Sequence, residues 1–219
     1  MRDLDKYIRQ HAIIDQRARD ARVVVAGLGM LGSWVTHALA RMVNEVIVFD
    51  GADKVEAINL GCQAYGEGHV GQGKAAAIAG QLFGFMLTPY ARKFPEGIRK
   101  LAHPPDVVVS CVDTIEGRHR IATWCEASGV PLFIDTRALA EMATIATVQR
   151  PEDFQWYHAQ LPREEDTIRA PCGGEGTAFV GMWVASRVAA NINNWARGMQ
   201  IPRLFVYHVG LGQQIGGEE

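Results

Sequence analysis

The residues whose chemistry is easiest to state are three glycines spaced G-x-G-x-x-G, in Gly27-Leu28-Gly29-Met30-Leu31-Gly32. They follow a short apolar run, Arg22–Ala26 (RVVVA), and open a stretch, Met30–Met42, that suits a helix. That strand-turn-helix context is what the spacing needs in order to hold phosphate. Gly27 and Gly29 permit a tight turn and a close approach of phosphate to the backbone. Gly32 lets helix and strand pack closely, and the helix N-terminus favours negative charge. Asp50, eighteen residues beyond Gly32 and just after a second apolar run, Glu45–Phe49, is positioned to hydrogen-bond ribose hydroxyls. Together these residues predict an adenosine nucleotide, and they do not separate ATP from NAD.

Other reactive groups are scattered. Cys62, Cys111, Cys125 and Cys172 form no CxxC pair, and His69, His103, His119, His158 and His208 no HxxxH pair, so free thiols and no structural metal are expected. Cys111 reads as a core thiol within an apolar strand. Cys172 lies in a glycine-rich loop, Pro171–Gly176, ahead of a long helix whose N-terminus would lower a thiol pKa. Lys74 follows Gly71 and Gly73 at the start of an Ala-rich helix. Asp113 follows an apolar strand and is also suited to cap the helix after it. Asp135 reads as a turn or cap at the end of another strand.

The elements that carry these residues include strands expected at Arg22–Ala26, Glu45–Phe49, Asp106–Val112, Pro131–Asp135 and Arg203–Val209, with a weaker one at Ala91–Phe94. Thr144–Val148 alternates like an exposed-edge strand. Helices are expected at Met30–Met42, Lys74–Leu87, Ile115–Ser128 and Thr177–Arg197. The opening Asp3–Ala21 suits one or two short surface helices, Gly61–Gly73 and Leu161–Gly176 read as loops, and the Gly-Gly tail at 216–217 as a flexible terminus. Alternation of this kind predicts an α/β fold with a doubly wound, mostly parallel Rossmann-like sheet, one domain over residues 1–219, and a C-terminal helix-strand extension.

Composition narrows the partners. With 22 Lys plus Arg against 24 Asp plus Glu, the net charge of −2 supplies no field to attract nucleic acid or an anionic membrane. No apolar run approaches a membrane span and the first ten residues lack a signal-peptide core, so a cytoplasmic protein is expected.

Beyond Asp53 the chain reads DKVEAINLGCQAYGEGHVGQGKAAA, and ahead of the glycines it reads KYIRQ. With the G-x-G-x-x-G, these stretches resemble the ThiF/MoeB/ubiquitin-activating (E1-like) adenylyltransferases, in which YxRQ, GxGxxG, D-x-V-E-x-x-N-L, G-x-x-K and D-x-x-x-x-R recur in order. The likeness covers nearly the whole chain. It implies ATP- and Mg²⁺-dependent adenylation of the C-terminal carboxylate of a small ubiquitin-like or sulfur-carrier protein, with release of pyrophosphate. It also implies a homodimer. In that scheme Lys74 neutralises phosphate oxygens, Asp113 holds Mg²⁺ with Arg118 completing the D-x-x-x-x-R, Asn59 lies beside the nucleotide, and Arg9 reaches the neighbouring protomer's site. Cys172 corresponds to a thiol that receives the activated acyl group in several members.

The chain departs from the pattern twice. Thr114 follows Asp113 where members commonly have Asn, and Cys62 stands where many read Arg in N-L-x-R-Q. Two alternatives stay open on the residues: an NAD-dependent Rossmann oxidoreductase, and a non-catalytic partner subunit that lends Arg9 to an active relative.

Overall fold

A computed structural model describes residues 4–96, 98, 103–162 and 176–218. Its strands are Arg22–Ala26 (β1), Glu45–Asp50 (β2), Leu87–Ala91 (β3), Val107–Ser110 (β4), Leu132–Leu139 (β5), Met142–Val148 (β6), Leu204–His208 (β7) and Gln213–Glu218 (β8). They form one sheet in the order β3-β2-β1-β4-β5-β6-β7-β8. Pairing is parallel from β3 across to β5 and antiparallel from β5 to β8. The helices are Leu4–Tyr7 (α1), Gln16–Asp20 (α2), Met30–Leu39 (α3), Lys74–Gln81 (α4), Ile115–Ala127 (α5), Asp153–Gln160 (α6) and Ala178–Ala196 (α7). Among the described residues no helix is long and apolar enough to cross a membrane.

Both faces of the parallel region are covered, which is why residues 23–26 of β1, 46–49 of β2 and 107–109 of β4 are continuous apolar runs instead of alternating. Val23, Val25, Val46 and Val48 pack with Leu39 of α3, Ile78 of α4 and Val184 of α7. On the other face Val24, Ile47 and Phe49 pack with Ile121 of α5 and Tyr157 of α6. The chain leaves β1 towards β2 on one side and enters β4 on the other. The carboxyl ends of β1 and β4 therefore flank a topological switch point, where ligands bind in sheets of this kind.

The doubly wound, mostly parallel architecture matches the expectation, and so does β1, residue for residue. Several details differ. The segment expected as an exposed edge is β6, an interior strand between β5 and β7 with Ala143, Ile145, Ala146 and Val148 buried. Its alternation comes from Thr144 and Thr147, not from solvent on one face. The tail expected to be flexible is β8, paired with β7 through the Gly-Gly. The second helix stops at Gln81 because the chain reverses at Gly84 (φ +90°) into β3, which lies ahead of the segment expected as a weak strand. Helix α6, with one buried aromatic side, was not expected. Residues Tyr7, Ala18 and Arg19 of the N-terminal turns are buried rather than at the surface.

Asp135 is neither turn nor cap. It lies inside β5, fully buried, and its carboxylate accepts hydrogen bonds from Arg118 of α5 and, at 2.8 Å, from Arg137. Arg118 also donates to the Thr136 carbonyl at 2.9 Å. These bonds tie α5 to the sheet below the cleft. Arg118→Ala withdraws one of the two guanidiniums that compensate a buried carboxylate, and is expected to lower unfolding free energy in urea by about 3 kcal/mol.

Candidate active site

The turn from β1 into α3 is set by contact, not by sequence preference alone. Gly27 has φ +90°, and a Cβ there would lie 2.8 Å from the Cys111 carbonyl oxygen at the end of β4. A Cβ on Gly32 would overlap the Gly27 carbonyl oxygen. Gly29, the N-cap of α3, has open space where its Cβ would stand. Gly27 and Gly32 thus both serve packing, where the spacing assigned packing to Gly32 alone, and Gly29 leaves room at the helix N-terminus.

A cleft of about 540 Å³ opens over this turn, and Gly27, Gly29, Asp50, Asn59, Lys74 and Asp113 all line it. Gly32 lies buried beneath it. Asp50 at the end of β2 is 7% exposed; its Oδ2 accepts from the Leu28 N–H at 2.7 Å, while Oδ1 is buried with no partner among the described residues. A buried carboxylate oxygen in that state awaits a donor, and a ribose hydroxyl fits it. Burial raises the Asp50 pKa, the Leu28 N–H and Lys74 oppose the rise, and Asp53 and Asp113 add to it.

Lys74 is positioned by backbone pairing. The strand-like bridge between Lys54 and Gly73, with the Lys74 N–H donating to the Asp53 carbonyl at 3.0 Å, fixes the first residue of α4. Val55, buried in the core, anchors that segment. The Lys74 ammonium is 3.8 Å from the exposed Asp53 carboxylate, a weak pairing that a phosphate can replace. Asn59 caps its own turn, its Oδ1 accepting from the Glu56 N–H at 3.0 Å. Helix α5 is capped by Thr114, whose hydroxyl accepts from the Gly117 N–H at 3.2 Å. Asp113 is therefore not used as a cap, and its exposed carboxylate faces the cleft with Lys74.

Arg9 does not line the cleft; it lies exposed in a 3₁₀ turn, Ile8–Gln10. Cys172 lies outside the described residues. Among the described residues Cys111 and Cys125 are free thiols. Cys111 lines the cleft floor, where burial pushes its thiol up to about 12 although Thr136 hydrogen-bonds it. That shift favours the neutral thiol and a packing role. Lys93, Gln63 and Arg120 also line the cleft, and no regular spacing singles out Lys93 or Arg120.

The Asp50 environment has a stability consequence. A carboxyl whose folded pKa lies above its ordinary 3.8 costs stability as pH rises through that interval, and the cost is complete above it. In the absence of nucleotide, Asp50→Asn is expected to melt higher than wild type at pH 7. The gap should shrink as pH falls towards 3.8, a comparison that calorimetry can make directly.

A family model described as the ThiF family matches residues 8–210. Over 167 residues the chain is 28% identical to ubiquitin-like modifier-activating enzyme 5 of Drosophila erecta, and equally to that of Drosophila sechellia. The match takes in 67% of this chain but 41% of each relative, so the chain spans well under half their length. Among solved structures, E. coli MccB with AMPCPP and SeMeT MccA has a TM-score of 0.73 over 99% of this chain and 72% of that one, at 16% identity. E. coli tRNA N6-threonylcarbamoyladenosine dehydratase, TcdA, has a TM-score of 0.69 over 89% of this chain and 95% of that one, also at 16%. Identities this low speak for the fold alone. The family match, extending from the turn that carries Arg9 to the end of β7, is decisive: the chain belongs to the ThiF family.

Proposed function

We propose that this protein is an ATP-dependent adenylating enzyme, acting on the C-terminal carboxylate of a small ubiquitin-like or sulfur-carrier protein. The observation that carries the reading is the convergence of Asp50, with its unpartnered Oδ1, Lys74 and Asp113 on one cleft above the glycine turn. In the proposed reaction a carboxylate oxygen attacks the α-phosphorus of ATP, the bond from that phosphorus to the bridging oxygen breaks, and pyrophosphate leaves with the electron pair. Asp50 orients the ribose, the α3 N-terminus and Lys74 offset charge on the phosphates, and Asn59 lies beside the nucleotide. Asp113 is the residue suited to hold Mg²⁺, which when bound neutralises phosphate oxygens.

The relatives named ubiquitin-like modifier-activating enzyme 5, and MccB in complex with MccA, support a small polypeptide substrate. A hydride-transfer enzyme has no use for Lys74 and Asp113 in these places, which weighs against an NAD reading. Lys93 supplies a further cation in the cleft, which weighs against a silent subunit despite Cys62. In this reading the protein is a homodimer, Arg9 acts on the partner's site, and Cys172 is the candidate acceptor for onward transfer of the acyl group.

Carrier-dependent ATP–pyrophosphate exchange tests the assignment. Lys74→Ala and Asp113→Ala are each expected to lower exchange by roughly 10²- to 10³-fold; undiminished exchange in both removes the site assignment. The role of Arg9 has a separate test. An equimolar mixture of Arg9→Ala and Asp113→Ala proteins is expected to recover exchange that neither shows alone, because each hybrid dimer contains one intact site. No recovery means that Arg9 does not act across a dimer.

A further inference from the structure

Leu28, the first variable residue of the glycine turn, is held by both of its backbone polar groups. Its N–H donates to Asp50 Oδ2 at 2.7 Å, and its carbonyl accepts from the Tyr65 hydroxyl at 2.9 Å. The Leu28 side chain is itself fully buried, so the backbone cannot drift without moving core atoms. Tyr65 arrives from a different part of the chain, the segment between β2 and α4 that also carries Asn59 and Gln63. It is 6% exposed and its ring packs in the core with Leu28 and Leu31. Two neighbouring bonds keep its segment in register with α3: Trp34 Nε1 donates to the Cys62 carbonyl at 2.9 Å, and the Ala64 N–H to Ser33 Oγ at 3.0 Å.

We propose that Tyr65 is a positioning residue of the nucleotide site, its hydroxyl holding the Leu28 backbone so that the Leu28 N–H stays on one oxygen of Asp50 and leaves the other for the ligand. The chain of action runs from Tyr65 to Leu28 to Asp50, and Tyr65 itself touches no ligand in this scheme. The hydroxyl has no other assignment in the chemistry above, and a phenylalanine would fill the same core space. The cost of burying this polar group is offset by the carbonyl it bonds. Asp50 has little else to orient it: burial raises its pKa, and the Leu28 N–H is foremost among the influences opposing the rise. Losing that donor leaves a carboxylate both harder to ionise and free to rotate.

The proposal rests on the reading of the cleft as a nucleotide site, and a thermodynamic cycle keeps the two apart. Binding of Mg·ATP is measured by titration calorimetry for the wild type, Tyr65→Phe, Asp50→Ala and the double variant, with melting temperatures taken without ligand. Tyr65→Phe, which keeps the ring, is expected to fold and to bind Mg·ATP roughly five- to tenfold more weakly than wild type. In the Asp50→Ala background the same change is expected to weaken binding by less than about twofold, because the group it positions is gone. Equal losses in the two backgrounds, no loss in either, or a Tyr65→Phe protein that fails to fold would each overturn the positioning role, since the hydroxyl then serves packing or nothing. A wild-type protein that does not bind Mg·ATP overturns the nucleotide reading itself, and the positioning role with it.

Discussion

Everything at the cleft depends on how closely β1, α3 and the end of β4 can approach one another at the glycine turn. With φ +90° at Gly27 and no room for a Cβ against Cys111, the chain can leave β1 only by turning sharply over the end of β4. The absence of a side chain at Gly32 then lets the first turn of α3 settle on the Gly27 carbonyl. From that contact follow the direction of α3, its packing along α7, where Gly181 accommodates the Trp34 ring, and the location of an open helix N-terminus at the switch point of the sheet. A larger residue at either glycine would move the helix, and every cleft residue referenced to it.

Two buried aspartates, in strands β2 and β5 that are separated by β1 and β4, illustrate how one residue type serves opposite purposes. Asp135 in β5 is met by two guanidiniums and stabilises the junction of α5 with the sheet. Asp50 in β2 is met by one backbone N–H and keeps an oxygen without a partner. The first arrangement is complete in the folded chain. The second is incomplete, at a cost in stability that a ligand can offset.

Much of this was legible in the residues. The apolar runs of β1, β2 and β4 announced a covered parallel sheet, and the glycine spacing located the cleft, because both are local signals. Asp50, read from its spacing, and Asn59, Lys74 and Asp113, drawn from the resemblance, line one cleft. What escaped was long-range. The place of β6 inside the sheet depends on β7, more than fifty residues later; the order of β8 depends on β7's unpaired edge; and Asp135 could not be read as paired, because Arg118 and Arg137 reach it from a helix and from its own strand. Tyr65 lies in a segment read only as a loop, Gly61–Gly73, and the carbonyl it holds is 37 positions earlier.

The segment after Asn59 is fastened to α3 through the main chain at positions 62 and 64, by the Trp34 indole and the Ser33 hydroxyl. Anchorage of that kind is indifferent to side-chain identity. It separates the scaffold from the electrostatics: a cationic residue at position 62 can be exchanged for a small thiol while the backbone path beside the cleft is kept. Such positions are where a lineage can retune charge around a reaction without having to rebuild the fold that hosts it.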